Sequence, residues 1–276
     1  MVTVSVTTDW GLSGIYVGLF KAKLVRSVPD VQLVEISHSI DTYKVADAVF
    51  ALKNAYPYFG KDTIHIISVA AMNVKEPAKN REFICFQYDN QYFIGPNNGL
   101  WSLLLPEAPT DVYKLDSSRR SEVSESFIES DIFVEAIQKI SLGKPIEEMG
   151  EKIEYYQGPR FGAPVVEPDG LRGSLLYFDV YGNAITNITR KHFDEVGKGR
   201  RFTVTIAEKR YSTDVISKDY GSAGKHMIIA LFNASGYLEI SIPFMSLRDM
   251  LGDNINVGVY VQFFDSPDSS NDLVMT

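Results

Sequence analysis

Asp9 is the first residue in the chain whose type and position suggest ligand chemistry. It directly follows an apolar, strand-like run and leads into a helix-like segment. In open α/β sheets small ligands lie at the carboxyl ends of the strands, and a carboxylate there can accept both hydrogen bonds of a ribose diol. An aspartate in this position can equally cap the helix that follows it. Position alone leaves both roles open.

Two further polar segments have the composition of turns. Asp179 and Tyr181-Gly182-Asn183 lie between two strand-like runs, where polar side chains usually satisfy their own backbone. The segment 95–100 reads Gly-Pro-Asn-Asn-Gly-Leu, and its residue types are those that tight turns require. From the residues alone, both segments are predicted to be structural.

Composition and charge narrow the classes of function. The chain has 276 residues, 45% of them hydrophobic, and a formal net charge of −8, which indicates a globular protein and disfavours a nucleic-acid partner. The single cysteine, Cys85, lies in an apolar alternating run and is predicted to be a buried structural thiol. The N-terminus lacks a basic segment followed by an apolar one, and no stretch approaches the ~18 apolar residues of a membrane helix. We therefore expect a cytoplasmic protein without membrane association.

Several common chemistries have no support in the sequence. The four histidines, at positions 38, 65, 192 and 226, have no second ligand at metal-binding spacing, so no metal site is predicted. The chain also lacks the glycine-rich phosphate loops and the Gly-x-Ser-x-Gly elbow. Nucleoside triphosphate hydrolysis, hydride transfer and hydrolysis by a serine nucleophile are disfavoured.

The hydrophobic periodicity predicts two domains. Residues 1–157 alternate strand-like and helix-like segments, which predicts an α/β N-terminal domain with a central, mostly parallel sheet. In its first helix, Ile15, Leu19, Val25 and Val28 recur at helical spacing. The same spacing predicts a second helix, with one face formed by Val45, Ala48, Val49, Leu52 and Ala55, and a further helix over 130–142, whose inward face is Ile132, Phe133, Ala136, Ile137 and Ile140. Residues 158–173 are rich in Gly and Pro and are predicted to be a linker. Residues 174–264 read as a smaller all-β C-terminal domain, and residues 265–276 as a mobile tail.

Taken in order, the segments resemble the S-adenosylmethionine hydroxide adenosyltransferases, the family that also contains the fluorinase and chlorinase enzymes. The similarity covers almost the whole chain, and the order of the motifs makes it specific. The matching segments are Thr8-Asp9-Trp10-Gly11, Tyr16-Val17-Gly18, Ile36-Ser37-His38, Pro57-Tyr58-Phe59, Thr63-Ile64-His65, Gly95-Pro96-Asn97-Asn98-Gly99-Leu100, Tyr181-Gly182-Asn183, Thr186-Asn187-Ile188 and Gly236-Tyr237-Leu238-Glu239-Ile240.

The resemblance implies a homotrimer whose ligand lies between the N-terminal domain of one subunit and the C-terminal domain of the next. Asp9 would hold the ribose hydroxyls, with Trp10 beside it in the ligand site. Asp179 and Asn183 would bind the amino-acid end of S-adenosylmethionine, the substrate or ligand, and no cofactor is implied. The implied reaction is displacement at the 5′ carbon by water or hydroxide, which gives adenosine and methionine.

The chain departs from the family at the catalytic positions. Family members use an Asp, an Arg and a His, whereas this chain has Ala70 at the Asp position and Ile128 at the His position. The Arg position aligns with Asn80 or, with a slip of one residue, Arg81. On the adenine side Pro243 replaces an expected asparagine. An alanine and an isoleucine cannot transfer a proton, so the substitutions favour weak or lost catalysis.

Three hypotheses follow from these residues. The first is a protein that binds S-adenosylmethionine or adenosine and hydrolyses it weakly or not at all. The second is an active hydrolase with relocated catalytic groups, for which Arg81, Glu129 and Asp131 are the candidates. The third is a trimeric scaffold that has lost ligand binding as well, for which Pro243 and Phe244 are the main support.

Overall fold

The computed structural model describes residues 1–42, 44–71, 82–116, 127–155, 158, 160–207, 211–222, 228–252 and 254–264. The chain divides into two compact units, Met1–Arg160 and Phe161–Thr276. Arg81 and the expected tail at 265–276 lie outside the described residues. No helix in the described part of the chain is long and apolar enough to span a membrane.

The first unit is a seven-stranded sheet with helices. Its strands lie in the order β2-β1-β3-β5-β4-β6-β7. The elements are β1 (Val2–Thr8), α1 (Ile15–Ser27), β2 (Val31–Ser37), α2 (Val45–Ala55), β3 (Ile64–Ser68), β4 (Phe83–Tyr88), β5 (Gln91–Pro96), α3 (Trp101–Leu104), β6 (Val112–Leu115), α4 (Ile128–Ser141) and β7 (Gly150–Ile153).

This sheet is mixed, so the prediction of a mostly parallel sheet is wrong. β1 pairs in parallel with β2 and β3, and β3 pairs in parallel with β5. The pairs β5–β4, β4–β6 and β6–β7 are antiparallel. The direction reverses at the two-residue hairpin between β4 and β5, where Asp89 and Asn90 both have positive φ, as a type I′ turn requires. The short strands β6 and β7 were not predicted from the sequence.

The helices pack on the sheet through faces that the sequence predicted only in part. α4 buries Ile132, Phe133, Ala136, Ile137 and Ile140 as predicted. For α1 the predicted face is wrong, because its buried residues are Val17, Phe20 and Leu24, whereas Ile15 is 75% exposed and Val25 57% exposed. Both stripes have helical spacing, so periodicity alone did not distinguish them. Cys85 is fully buried in the core, and burial raises the pKa of its thiol to about 12.

The second unit is an eight-stranded antiparallel sheet. Along its main path the strands lie in the order β12-β11-β15-β9-β10-β14-β13, with β8 paired to β9. The elements are β8 (Val165–Glu167), β9 (Gly170–Phe178), β10 (Ala184–Thr189), α5 (Arg190–Gly197), β11 (Arg201–Ile206), β12 (Tyr211–Thr213), β13 (Ile229–Phe232), β14 (Tyr237–Ser241), α6 (Leu247–Leu251) and β15 (Gly258–Phe264).

Two details of this unit differ from the prediction. It contains the helices α5 and α6, so it is β-rich and not all-β. β8 and the first residues of β9 lie inside 158–173, the segment predicted to be a linker. The Gly and Pro residues there mark a hairpin whose strands join the sheet: the amide of Phe263 on β15 donates to the carbonyl of Asp169, which lies at the turn of that hairpin.

Candidate functional site

Asp9 lies at the carboxyl end of β1, half-buried and held by a neighbouring loop. Its Oδ2 accepts a hydrogen bond from the amide of Ala70 at 3.0 Å, and its own amide donates to the carbonyl of Ser68 at 3.2 Å. Burial raises the pKa of the Asp9 carboxyl, and the Ala70 amide partly offsets that rise. Within the described ranges, the carboxylate is therefore oriented by a backbone amide.

Ala70 adopts a backbone conformation that is unusual for alanine. Its φ is +49°, in the left-handed region where Asn and Asp are enriched among non-glycine residues. The side-chain amide of Asn98 donates from Nδ2 to the carbonyls of Val69 and Ala70, both at 3.3 Å. The turn at 95–100 therefore holds residue 70 from one side while Asp9 holds it from the other, a role that the residue types alone did not reveal.

Trp10 connects the Asp9 loop to the start of α4. Its ring meets Phe20 and Phe127 edge-on, with centroids 5.2 and 4.8 Å away, and stacks on the ring of His38 at 6.2 Å. Among the described residues its indole Nε1 is buried without a hydrogen-bond partner. A buried donor of this kind is costly unless a ligand or water accepts from it.

The first turn of α4 contains the candidate replacement groups. Glu129 is buried, and Ile128 packs against the hydrophobic core of the unit. Asp131 forms an ion pair with Lys23 of α1, and Lys23 also donates to Ser130 at 2.9 Å. Asp131 therefore has a structural role in joining two helices, whereas Glu129 carries a buried carboxyl in the turn that follows Phe127.

Asp179 and Asn183 form a closed turn in the second unit. Oδ1 of Asp179 accepts from the amides of Tyr181 and Asn183 at 2.9 and 2.8 Å, and Oδ2 accepts from the Asn183 side chain at 3.0 Å. The guanidinium of Arg248 donates to the carbonyls of Phe178 and Asp179. The sequence prediction that these polar groups satisfy their own backbone is confirmed, and the turn also fixes the direction of the carboxylate.

A cleft of about 690 Å³ opens beside this turn. Phe244, with φ +63° and 91% exposure, lies at its mouth next to Pro243. The Tyr220 hydroxyl donates to Glu239, and burial together with the nearby Asp179 raises the pKa of the Glu239 carboxyl. The cleft therefore combines apolar walls with the carboxylate of Asp179, and the Tyr220 side chain that lines it is bonded to the carboxyl group of Glu239.

Gly182 is required for the Asp179 turn. It has φ +79°, and a Cβ there would lie 2.2 Å from the Ser246 hydroxyl. We expect Gly182→Ala to lower the free energy of unfolding by about 2 kcal/mol or more, since backbone strain adds to a steric overlap. Gly236→Ala is the matched control, because Gly236 has φ +75° but open space around it, so it reports strain alone. Urea unfolding of both variants measures the difference, and equal losses would contradict the steric part of the argument.

Comparison with known proteins shows that both halves of the chain match one family. Residues 4–150 match the model of the SAM hydroxide adenosyltransferase N-terminal domain, and residues 173–259 match that of the C-terminal domain. An (R)-S-adenosyl-L-methionine hydrolase of Thermus thermophilus is 26% identical over 258 residues, 89% of this chain and 93% of that protein. A fluorinase of Actinopolyspora mzabensis is 22% identical over 267 residues, 86% of this chain and 89% of that protein.

Solved structures show the same fold. The crystal structure of an uncharacterized conserved protein from Thermotoga maritima matches with a TM-score of 0.82 and 24% identity, covering 94% of this chain and 99% of that one. Both halves of the chain thus match one family in order, and the protein belongs to the SAM hydroxide adenosyltransferase family.

Proposed function

We propose that the protein binds S-adenosylmethionine or adenosine and that its hydrolysis of S-adenosylmethionine is weak or lost. The observation that carries this proposal is the environment of Ala70. Its backbone is held by Asp9 and Asn98, yet its side chain is a methyl group. The scaffold around the position is kept while the group that would act on water is missing.

The missing groups matter because of the chemistry of the reaction. Displacement at the 5′ carbon releases neutral methionine from a sulfonium, so the enzyme must mainly orient and activate one water molecule. Ala70 cannot accept a proton, and Ile128 packs against the core instead of offering an imidazole. With both positions apolar, we expect a bound ligand to persist rather than react.

Ligand binding has support in both units. The carboxylate of Asp9 accepts one hydrogen bond from Ala70 and retains capacity for ribose hydroxyls, because a carboxylate has about four acceptor sites. The carboxylate of Asp179 is held in place beside Glu239, and this acidic pair favours a cation such as the methionine ammonium or the sulfonium. Trp10 offers a buried indole donor near Asp9.

We further propose that the two binding segments meet in a homotrimer, Asp9 of one copy with Asp179 of the next. Each segment is flanked by large apolar side chains that a monomer leaves exposed: Leu12 and Ile15 near Asp9, and Val180, Tyr181 and Phe244 near Asp179. Exposed apolar patches beside a polar site are typical of interaction surfaces. We propose the cytoplasm as the location.

An active hydrolase with relocated groups is the second candidate function, and Glu129 is the observation that favours it. Its buried carboxyl lies in the first turn of α4, two residues from Phe127, which contacts Trp10. A carboxyl group in this position can serve as an acid or a base. Of the two carboxyl groups in this turn, that of Glu129 lies nearer in the chain to Phe127, the contact of Trp10, so Glu129 is the stronger candidate. Arg81 lies outside the described residues.

The binding proposal is tested by comparing two ligands with one variant. We expect Asp179→Asn to weaken the binding of S-adenosylmethionine about tenfold, the loss of one charge-assisted hydrogen bond. Adenosine has no ammonium group, so its affinity should change less than twofold. Titration calorimetry measures both, with Asp194→Asn on the exposed side of α5 as control. Equal weakening of the two ligands would contradict the assigned role of Asp179.

A further inference from the structure

A chain of hydrogen bonds runs from the surface to the Asp9 loop. Lys21 forms an ion pair with Glu35 at 2.7 Å, and Glu35 contacts Nε2 of His38 at 2.8 Å. Nδ1 of His38 contacts the Thr8 hydroxyl at 2.8 Å, and that hydroxyl accepts from the amide of Trp10 at 3.3 Å. The family motifs contain Thr8 and His38, but neither was assigned a role from the sequence.

The chemistry of the groups fixes the direction of each bond. Lys21 lowers the pKa of the Glu35 carboxyl, so Glu35 is ionised and can only accept. His38 is buried, and burial lowers its pKa, so it is neutral with its proton on Nε2, facing Glu35. Nδ1 then accepts from the Thr8 hydroxyl, which leaves the Thr8 oxygen to accept from the amide of Trp10.

The residues after Asp9 are tied to His38 in two further ways. The amide of Gly11 donates to the carbonyl of His38 at 2.8 Å. The Trp10 ring stacks on the imidazole with an angle of 15° between the planes. The backbone of His38 thus holds Gly11, while its side chain contacts the Trp10 ring and, through Thr8, the Trp10 amide. Glu35 of β2 and Lys21 of α1 are the charged groups that act on it.

We propose that His38 is a positioning residue that sets the geometry of Asp9 and Trp10 for ligand, acting through Thr8, while Glu35 selects the tautomer that this requires. The inference rests on the proposed function for its effect on binding. Its effect on the conformation of the Trp10 segment is independent of any ligand.

Two substitutions at position 38 separate the two bonds of the imidazole. An asparagine places its oxygen near the Nδ1 position and can accept from Thr8, whereas a glutamine places its amide nitrogen near the Nε2 position and can donate only to Glu35. We expect His38→Asn to keep adenosine affinity within about twofold and His38→Gln to lose about tenfold, equivalent to one net hydrogen bond. Thr8→Val should lower the adenosine affinity as much as His38→Gln does. The double variant that carries both substitutions should lose no more affinity than either single variant.

The chain offers a matched control for a purely structural role. Ser5, on the same strand, contacts Nδ1 of the buried His65, in the same arrangement as Thr8 and His38 but without a bond to the Asp9 loop. We expect Ser5→Ala to lower the unfolding temperature yet leave adenosine affinity unchanged.

A spectroscopic signal reports the conformation of the Trp10 segment in the absence of any ligand. The chain has two tryptophans, Trp10 and Trp101, so protein labelled with 5-fluorotryptophan gives two ¹⁹F resonances, which Trp10→Phe assigns. We expect the Trp10 resonance to move in Thr8→Val, which leaves the imidazole stacked on the Trp10 ring, and to stay in place in Ser5→Ala. Both His38 variants remove that ring, so the Thr8 and Ser5 variants carry the comparison.

The outcomes distinguish this inference from the proposed function. An unmoved Trp10 resonance in Thr8→Val, or an equal shift in Ser5→Ala, would overturn the positioning role. If the unsubstituted protein binds neither adenosine nor S-adenosylmethionine, the proposed function is wrong. The ¹⁹F comparison still decides whether the bond between His38 and Thr8 positions the Trp10 segment.

Discussion

Replacing Asp9 by asparagine is expected to weaken the binding of adenosine and of S-adenosylmethionine by about 30- to 150-fold. The Ala70 amide needs an acceptor, so the side-chain oxygen of the asparagine should turn towards it. The side-chain NH2 group then faces the ligand. The ligand then meets a donor where the carboxylate offered an acceptor for the ribose hydroxyls. Losing charge-assisted bonds and leaving hydroxyls unpaired costs about 2–3 kcal/mol, which corresponds to that range.

The size of this effect and its selectivity are both measurable. Titration calorimetry gives the affinities, and thermal unfolding shows whether the variant keeps its fold, as the retained bond to Ala70 predicts. Asp30→Asn is a suitable control, because Asp30 is an exposed carboxylate in the same unit. Unchanged adenosine affinity in Asp9→Asn would contradict ribose binding and favour a purely structural role, in which this residue only holds the Ala70 amide. Asp9 does not cap α1, whose N-cap is Gly14.

Mild acid is expected to destabilise the first unit through His65. This side chain is fully buried between Ser5 and Gln91, with the rings of Tyr56, Phe59 and Phe93 around it. Burial lowers the pKa of His65 to about 4, from about 6.5 in an unfolded chain. Between these values the unfolded state binds more protons, so the stabilisation is complete above pH 6.5 and is lost as the pH falls towards 4.

From pH 7.5 to pH 5 the free energy of unfolding should fall by about 2 kcal/mol on account of His65. Urea unfolding at both pH values measures this fall, and His65→Gln isolates it, because glutamine does not titrate. The variant should be less stable than the unsubstituted protein at pH 7.5 but should lose about 2 kcal/mol less on acidification. An identical loss in both proteins would show that other groups, such as His38, control the acid response.

Regular elements with one clear apolar stripe were predictable from the sequence. α2 and α4 lie where their spacing predicted, because a single stripe is apolar in each. α1 contains two such stripes, and the sheet selected the one formed by Val17, Phe20 and Leu24. The mixed sheet was missed because strand order depends on long-range pairing, which local periodicity does not encode.

The candidate site, too, was predictable only where its signals are local in the sequence. Asp9 and Asp179 were identified, since an aspartate after a strand and one beside a Tyr-Gly-Asn turn are local signals. The links from Thr8 to His38 and from Asn98 to Ala70 span 30 and 28 residues. They exist only because β1, β2, β3 and β5 are neighbours in the sheet, so no local spacing could predict them.

The central claim is that the scaffold binds S-adenosylmethionine without the groups that hydrolyse it. The most direct test is a chromatographic time course of the protein with S-adenosylmethionine, in which adenosine is quantified against a protein-free control and against Asp9→Ala. We predict adenosine release at the control rate by a protein that binds the ligand in a parallel titration. Release that depends on Asp9 would contradict the account, and its loss in Glu129→Ala would identify the relocated catalytic group.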